Sequence, residues 1–160
     1  MNPDTEREVE LVRAALSASA PTQDQLLPVL LEVQRRIGYV PKAAIDAIAK
    51  HFNLSRAEVH GVATFYHDLH EAPLGRHVVQ ICQAEACQAV GCRELAEHAQ
   101  QRFGIAMGAT TPDGRVTIEA AYCFGNCACG PTVRIGDDVH GRVTAERFDE
   151  LTSALNGGRP

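Results

Sequence analysis

The chain of 160 residues lacks the features of several common protein classes. Its formal net charge is −5 and its basic residues are scattered, whereas a nucleic-acid-binding protein needs clustered positive charge to meet phosphates. No apolar run approaches the roughly 20 residues that cross a bilayer. The first ten residues, MNPDTEREVE, have neither the basic start nor the apolar run of a signal peptide. We therefore expect a cytoplasmic protein without membrane insertion and without a nucleic-acid partner.

Motifs for nucleotide binding and for zinc catalysis are also missing. Neither a G-x-x-x-x-G-K-[ST] loop nor a G-x-G-x-x-G run occurs, so the sequence offers no phosphate cradle, and no H-E-x-x-H motif is present. His60, His67 and His70 lie near one another, and we interpret them as surface or interface histidines rather than as a metal site. These absences predict that the chain alone is not a catalyst.

Cysteine is absent before position 82, and all six cysteines then fall within 82–92 and 123–129. In a reducing compartment disulfides are disfavoured, which leaves metal ligation or burial as explanations. Two pairs stand out, Cys82-x4-Cys87 and Cys123-x3-Cys127, and each begins where a predicted strand ends. A [2Fe–2S] cluster needs four ligands, two for each iron, so two such loops can clamp one cluster. Structural zinc also accepts this spacing, and zinc and other clusters therefore remain open alternatives.

The neighbouring residues are assigned supporting roles. Gly125 and Gly130 are expected to let the backbone approach sulfur and point N–H groups at it. Cys129 follows Cys127 too closely to share an iron with it, and we expect Cys129 to pack beside the site. Cys92 is expected to pack in the core, because it shares an apolar helical stripe with Leu95, Ala96, Ala99 and Phe103.

The spacing of apolar residues along the chain changes near residue 72. Before it, apolar residues recur at helical spacing across 26–37 and 44–52, and Ser55 with Glu58 forms an S-x-x-E capping box that begins a further helix. The segment EAPLGR at 71–76 reads as a linker. After it, the order of predicted elements is β-α-β-β-α. This order predicts an α/β fold in which helices cover a mixed sheet.

Four segments resemble one known family. They are GYVP at 38–41, EVHGVATFYH at 58–67, GRHVVQIC at 75–82 and CFGNCACGP at 123–131. Together they are similar to the thioredoxin-like [2Fe–2S] ferredoxin family, which includes the 24-kDa subunit of respiratory complex I. The resemblance implies an α/β architecture with an N-terminal helical bundle at 1–72 and a thioredoxin-like domain at 73–160. It also implies that Cys82, Cys87, Cys123 and Cys127 hold one [2Fe–2S] cluster.

Within the family, LSRAEVHGV, AEACQAVG and CACGP are most similar to the gamma subunit of NAD-dependent formate dehydrogenase. That resemblance implies an electron-transfer subunit with two partners. One is a flavin-bearing, NADH-binding subunit, and the other is a catalytic subunit with a molybdenum cofactor, so FMN and molybdenum are expected on the partners only. The equivalent subunit of complex I or of an NAD-reducing hydrogenase is the nearest alternative. A zinc-stabilised interaction module and a thiol–disulfide enzyme are alternatives of other classes, although the C-x-x-C of the latter is missing.

Overall fold

The computed structural model describes residues 3–155, and the chain divides into two compact units between Pro73 and Leu74. The first unit is entirely helical. Its helices are α1 (Pro3–Ser17), α2 (Leu26–Ile37), α3 (Ile45–Phe52) and α4 (Arg56–Phe65), with short 3-10 helices at Gln23–Gln25 and Lys42–Ala44. Within residues 3–155, no helix combines the length and the apolar character needed to cross a membrane.

The apolar stripes predicted from the sequence form the core of the helical unit. Leu30, Val33, Ile48 and Val59 are fully buried in one cluster. This cluster also receives Val12, Ala15 and Leu16 from α1, a helix that the periodicity did not resolve.

The ends of the helices follow the sequence signals. At the start of α4, the Glu58 N–H donates to the Ser55 hydroxyl at 3.2 Å, and the Glu58 carboxylate accepts the Ser55 N–H at 2.8 Å. These two bonds confirm the predicted capping box, which satisfies donors that a helix start leaves unpaired. Helix α2 ends at Gly38, whose φ of +97° is in the left-handed region that favours glycine.

The second unit is built on a four-stranded mixed sheet. Its elements are β1 (His77–Cys82), α5 (Glu85–Gln88), α6 (Cys92–Phe103), β2 (Val116–Ala121), β3 (Val133–Ile135), β4 (Asp138–His140) and α7 (Ala145–Thr152), with 3-10 turns at Cys127–Cys129 and Ser153–Leu155. The strand order is β2-β1-β3-β4, in which β1 and β2 are parallel and the other pairs are antiparallel. The α/β class and the mixed sheet are thereby confirmed.

Alternating side chains of the sheet form the core of this unit. Val79, Ile81, Ile118 and Val133 are fully buried, and Phe148 of α7 lies among them. Polar contacts join α6 to α7, since the Arg102 guanidinium donates to the Thr152 hydroxyl at 2.8 Å. The sheet of the second unit is therefore packed against α7, and α7 is in turn bonded to α6.

Candidate metal centre

The parallel pairing of β1 with β2 brings the two cysteine loops together. Cys82 is the last residue of β1 and lies opposite Ala121, the last residue of β2. The Gln83 N–H donates to the Ala121 carbonyl at 2.7 Å, which extends the pairing into the loops. Because parallel strands end at the same edge, the segment that leads from Cys82 into α5, which contains Cys87, and the loop that begins at Cys123 start side by side.

One cysteine pair is buried. Cys82 and Cys87 are each 2% exposed. Burial is the main reason that the pKa of the Cys87 thiol lies above its ordinary value, and hydrogen bonding to Cys82 raises that pKa further. Hydrogen bonds from the backbone and side chain of Thr132 act in the opposite direction and lower the Cys87 pKa. Burial therefore disfavours loss of the Cys87 proton unless a cation compensates the charge of the thiolate.

The other pair is exposed to solvent. The sulfur atoms of Cys123 and Cys127 are 3.5 Å apart, and the Gly125 N–H donates to the Cys123 sulfur at 3.3 Å. That N–H is the main reason that the pKa of Cys123 is lowered. The pKa of Cys127 is raised, first by its hydrogen bond to Cys123 and in smaller part by the charges of Cys87 and Cys82.

At Gly130 the backbone lies so close to the Cys87 sulfur that a side chain at this position would crowd it. A Cβ atom at Gly130 would lie 3.3 Å from the Cys87 sulfur and 2.9 Å from a methyl carbon of Val90. Cys123 itself has a φ of +98°, which is uncommon and strained for a residue other than glycine. The expected close approach of Gly130 and the expected N–H contact from Gly125 are both confirmed, whereas the expected N–H contact from Gly130 stays a prediction. Four thiols in two pairs, with an N–H group already aimed at one sulfur, match the donor set of a [2Fe–2S] cluster.

Comparison with known proteins identifies the family. The profile of the thioredoxin-like [2Fe–2S] ferredoxin family matches residues 12–156. The chain belongs to this family. Membership supports a [2Fe–2S] cluster as its cofactor, whereas the profile does not say which side chains hold it.

Two relatives and one solved structure are also similar to this chain. The chain is 33% identical over 146 residues to a subunit of NADH-quinone oxidoreductase from Rhizobium meliloti (strain 1021), covering 91% of this chain and 87% of the relative. It is 39% identical over 119 residues to a subunit of NADH-quinone oxidoreductase from Escherichia coli (strain K12), covering 74% and 72%. The fold also matches part of a crystallised NAD+-reducing [NiFe]-hydrogenase, with a TM-score of 0.70 and 24% identity over 89% of this chain and 23% of the hydrogenase chain.

The two remaining cysteines of this ferredoxin-family chain occupy different surroundings. Cys92 is fully buried, as expected, but it clusters with Cys82 and Cys87 instead of with the apolar stripe that follows it on α6. Cys92 is the first residue of α6 and lies only four residues after the end of α5, the helix that contains Cys87. Cys129 is half-buried, and its carbonyl accepts the Arg142 N–H at 2.7 Å.

Residues 3–155 contain no group of three or more His, Cys, Asp or Glu side chains arranged to hold a metal ion. The four cysteines therefore lie as two pairs, Cys82 with Cys87 and Cys123 with Cys127, and not as one closed group. His60 forms a contact of 3.2 Å with Glu71, and its side chain is 51% exposed, which agrees with the surface role expected for it.

Sequence reasoning missed two polar residues of this site. Thr132 is almost completely buried, and its hydroxyl accepts the Asn126 side-chain N–H at 3.4 Å. Thr132 is separated from Cys87 by the whole of α6 and β2, so no spacing rule connects them.

Proposed function

We propose that this chain is a one-electron carrier whose [2Fe–2S] cluster is held by Cys82, Cys87, Cys123 and Cys127. The observation that supports the proposal is that the two cysteine pairs follow β1 and β2, which end at one edge of the sheet, and that one pair is buried and the other exposed. Family membership supports the cluster over the zinc alternative. The chain supplies four thiolates, and the Gly125 N–H orients one of them.

The division into a buried and an exposed pair suits electron transfer. When bound, the cluster supplies reversible one-electron chemistry. The buried residues Cys82 and Cys87 shield one side of the site from water, whereas Cys123 and Cys127 offer the other side to solvent and to a partner. Electrons would therefore pass through the exposed side, where a donor or acceptor can come closest.

The proposed setting is a cytoplasmic NAD-dependent formate dehydrogenase, which converts formate and NAD+ to CO2 and NADH. The relatives named as subunits of NADH-quinone oxidoreductase support an NADH-linked complex. The formate dehydrogenase assignment is finer and depends on the segments LSRAEVHGV, AEACQAVG and CACGP, with complex I or an NAD-reducing hydrogenase as the alternative. A flavin-bearing subunit would exchange electrons with this chain, and a molybdenum-bearing subunit would oxidise formate.

The division of labour among subunits has a chemical reason. Formate and NADH each release two electrons, but a [2Fe–2S] cluster carries one, so a two-electron cofactor such as flavin has to divide the pair. We propose that this cofactor resides on a partner. The isolated chain should then oxidise neither formate nor NADH, even when it carries its cluster.

Two experiments test this function. Chain purified without oxygen should be brown, should bleach on reduction and should contain iron and acid-labile sulfide in equal amounts. A colourless protein with stoichiometric zinc would favour the interaction module, and a colourless metal-free protein would favour the thiol enzyme. Affinity purification of the tagged chain from its native cells should then recover flavin and molybdenum, whereas nickel or quinone reductase activity would move the assignment to the corresponding alternative.

A further inference from the structure

We infer that Phe124 covers the buried cysteine pair and that the Arg134 guanidinium holds its ring in place. This inference deepens the proposed cluster-binding function and rests on it. Phe124 is half-buried, although Cys123 before it and Gly125 after it are exposed. Its side chain packs against the cluster of three buried cysteines that includes the buried pair. The loop that begins at Cys123 therefore places one large apolar side chain on the cluster that contains the other cysteine pair.

Arg134 lies on the same face of the sheet as the buried residue Cys82. Gln80 and Cys82 are two residues apart in β1, and alternate residues of a strand point to the same face. Gln80 is paired with Arg134 across β1 and β3, which places Arg134 on this face as well. The guanidinium carbon of Arg134 lies over the Phe124 ring, 5.3 Å from its centroid. Phe124 therefore contacts a cation through its ring and the buried cysteines through the same side chain.

A row of polar side chains across three strands fixes the guanidinium. The Arg134 Nε–H donates to the Gln80 side-chain oxygen at 2.7 Å, and the Gln80 side-chain N–H donates to the Glu119 carboxylate at 3.1 Å. Arg134 and Glu119 are the cross-strand neighbours of Gln80 on either side of β1. Because a guanidinium is planar and rigid, a bond at Nε sets the direction of the whole group. Arg134 is therefore already oriented for its contact with Phe124.

Access to the buried sulfurs depends on this contact. When the loop that begins at Cys123 moves away, the Phe124 ring leaves Arg134 and becomes exposed to water. A buried thiol reacts only when its surroundings open, so its reaction rate follows the equilibrium between the closed and open states. A partly exposed cation–π contact shifts such an equilibrium by about fivefold. Phe124 therefore limits the access of water, oxidants and chelators to Cys82 and Cys87.

The first test is the rate at which the cluster-bound full chain loses iron to EDTA. Phe124→Ala removes the ring and should speed the loss by about tenfold, the factor that half-burial of a phenylalanine side chain is worth. Arg134→Met keeps the length of the side chain but removes the guanidinium, and should speed the loss by about fivefold. Phe124→Tyr keeps an aromatic ring at this position and should stay close to the parent.

A second measurement does not depend on the cluster. The reduced, metal-free full chain is alkylated with iodoacetamide, and mass spectrometry follows Cys82 and Cys87 separately from the exposed cysteines. Both buried thiols should react faster in Phe124→Ala and in Arg134→Met, by the same factors as the loss of iron.

Arg102→Met is the matched control for loss of a guanidinium. Arg102 lies over the Phe103 ring at 6.0 Å and donates to the Thr152 hydroxyl, so this variant removes a cation–π contact and a hydrogen bond elsewhere in the same unit. It should leave the loss of iron and the alkylation of the buried thiols unchanged. An acceleration equal to that in Arg134→Met would contradict the inference, because the effect would then reflect a general loss of stability.

The outcomes separate this inference from the proposed function. A parent protein without a cluster would overturn the proposed function, whereas the alkylation rates would still decide whether Phe124 covers the thiols. Parental alkylation rates of Cys82 and Cys87 in Phe124→Ala would overturn the inference whatever the metal content. Parental rates in Arg134→Met would overturn the role of Arg134. If Phe124→Ala does not fold, Phe124→Leu replaces it and should match Arg134→Met, because leucine offers the guanidinium no aromatic ring.

Discussion

Gly130 lies so close to the buried cysteine pair that a single methyl group should disturb it. In Gly130→Ala the new Cβ would lie 2.9 Å from a Val90 methyl carbon and 3.3 Å from the Cys87 sulfur. The backbone at Gly130 has φ −67° and ψ 161°, which alanine adopts without strain, so any effect is steric. Val90 is 52% exposed and can turn outward, whereas Cys87 is 2% exposed and has no free space.

Overpacking of this kind costs about 1–3 kcal/mol. A unit of the size of residues 74–160 loses about 4–8 °C in Tm for each kcal/mol of stability. Thermal unfolding of the cluster-bound protein should therefore show the change clearly. Iron per chain should fall as well, because the displaced atom is a proposed ligand. Adding Val90→Ala removes the 2.9 Å contact and should restore part of the stability, leaving the contact with sulfur.

Gly61→Ala is the control for the substitution itself. Gly61 lies within α4, where an added Cβ would meet nothing within 4 Å. Alanine is the better helix former there by about 1 kcal/mol, so this variant should be stabilised. Unchanged iron content and an unchanged Tm in Gly130→Ala would refute the steric reasoning about the buried pair.

Four further substitutions test other parts of the account. Cys92→Ala and Cys129→Ala should each keep a full cluster by iron analysis, and Cys92→Ala should cost on the order of 1 kcal/mol in thermal unfolding; loss of iron would mean that the ligand set is different. Ser55→Ala breaks the capping box and should destabilise the protein by about 1 kcal/mol, and an unchanged unfolding midpoint would contradict that role. The pKa of Asp113 is lowered from 3.8 to about 2, mainly by a hydrogen bond from Thr111, so its contribution is complete above pH 3.8 and is lost as the pH falls through 2. In Asp113→Asn the fall in stability over that acid range should therefore be smaller than in the parent, as urea unfolding at several pH values would show.

The sequence predicted those features that depend on local chemistry or on simple periodicity. The capping box at Ser55 follows from a local signal, and the structure contains it. The strand that ends at Cys82 was predicted from a short β-rich run, and the strand before Cys123 from apolar alternation. The order of these elements predicted the mixed sheet, which the structure confirms.

Features that depend on packing between distant segments were not predictable. Spacing cannot show that Cys82 and Cys87 are buried while Cys123 and Cys127 are exposed, because exposure depends on which segments cover each loop. Helix α1 was missed as a separate element, because its buried residues stand among many charged ones. The Thr132 carbonyl accepts the Cys82 N–H at 3.0 Å, although α6 and β2 separate the two residues along the chain, and no residue pattern predicts such a contact.

The central claim is that four particular cysteines hold one redox-active cluster. Its most direct measurement is iron and sulfide content with the EPR spectrum of the reduced protein, compared between the parent and four serine variants prepared without oxygen: Cys82→Ser, Cys87→Ser, Cys123→Ser and Cys127→Ser. The parent should show a one-electron [2Fe–2S] signal, and each variant should lose iron or give a clearly altered spectrum, because serine oxygen replaces a thiolate. A variant with full iron and the spectrum of the parent would show that the replaced cysteine is not a ligand, and would contradict the account.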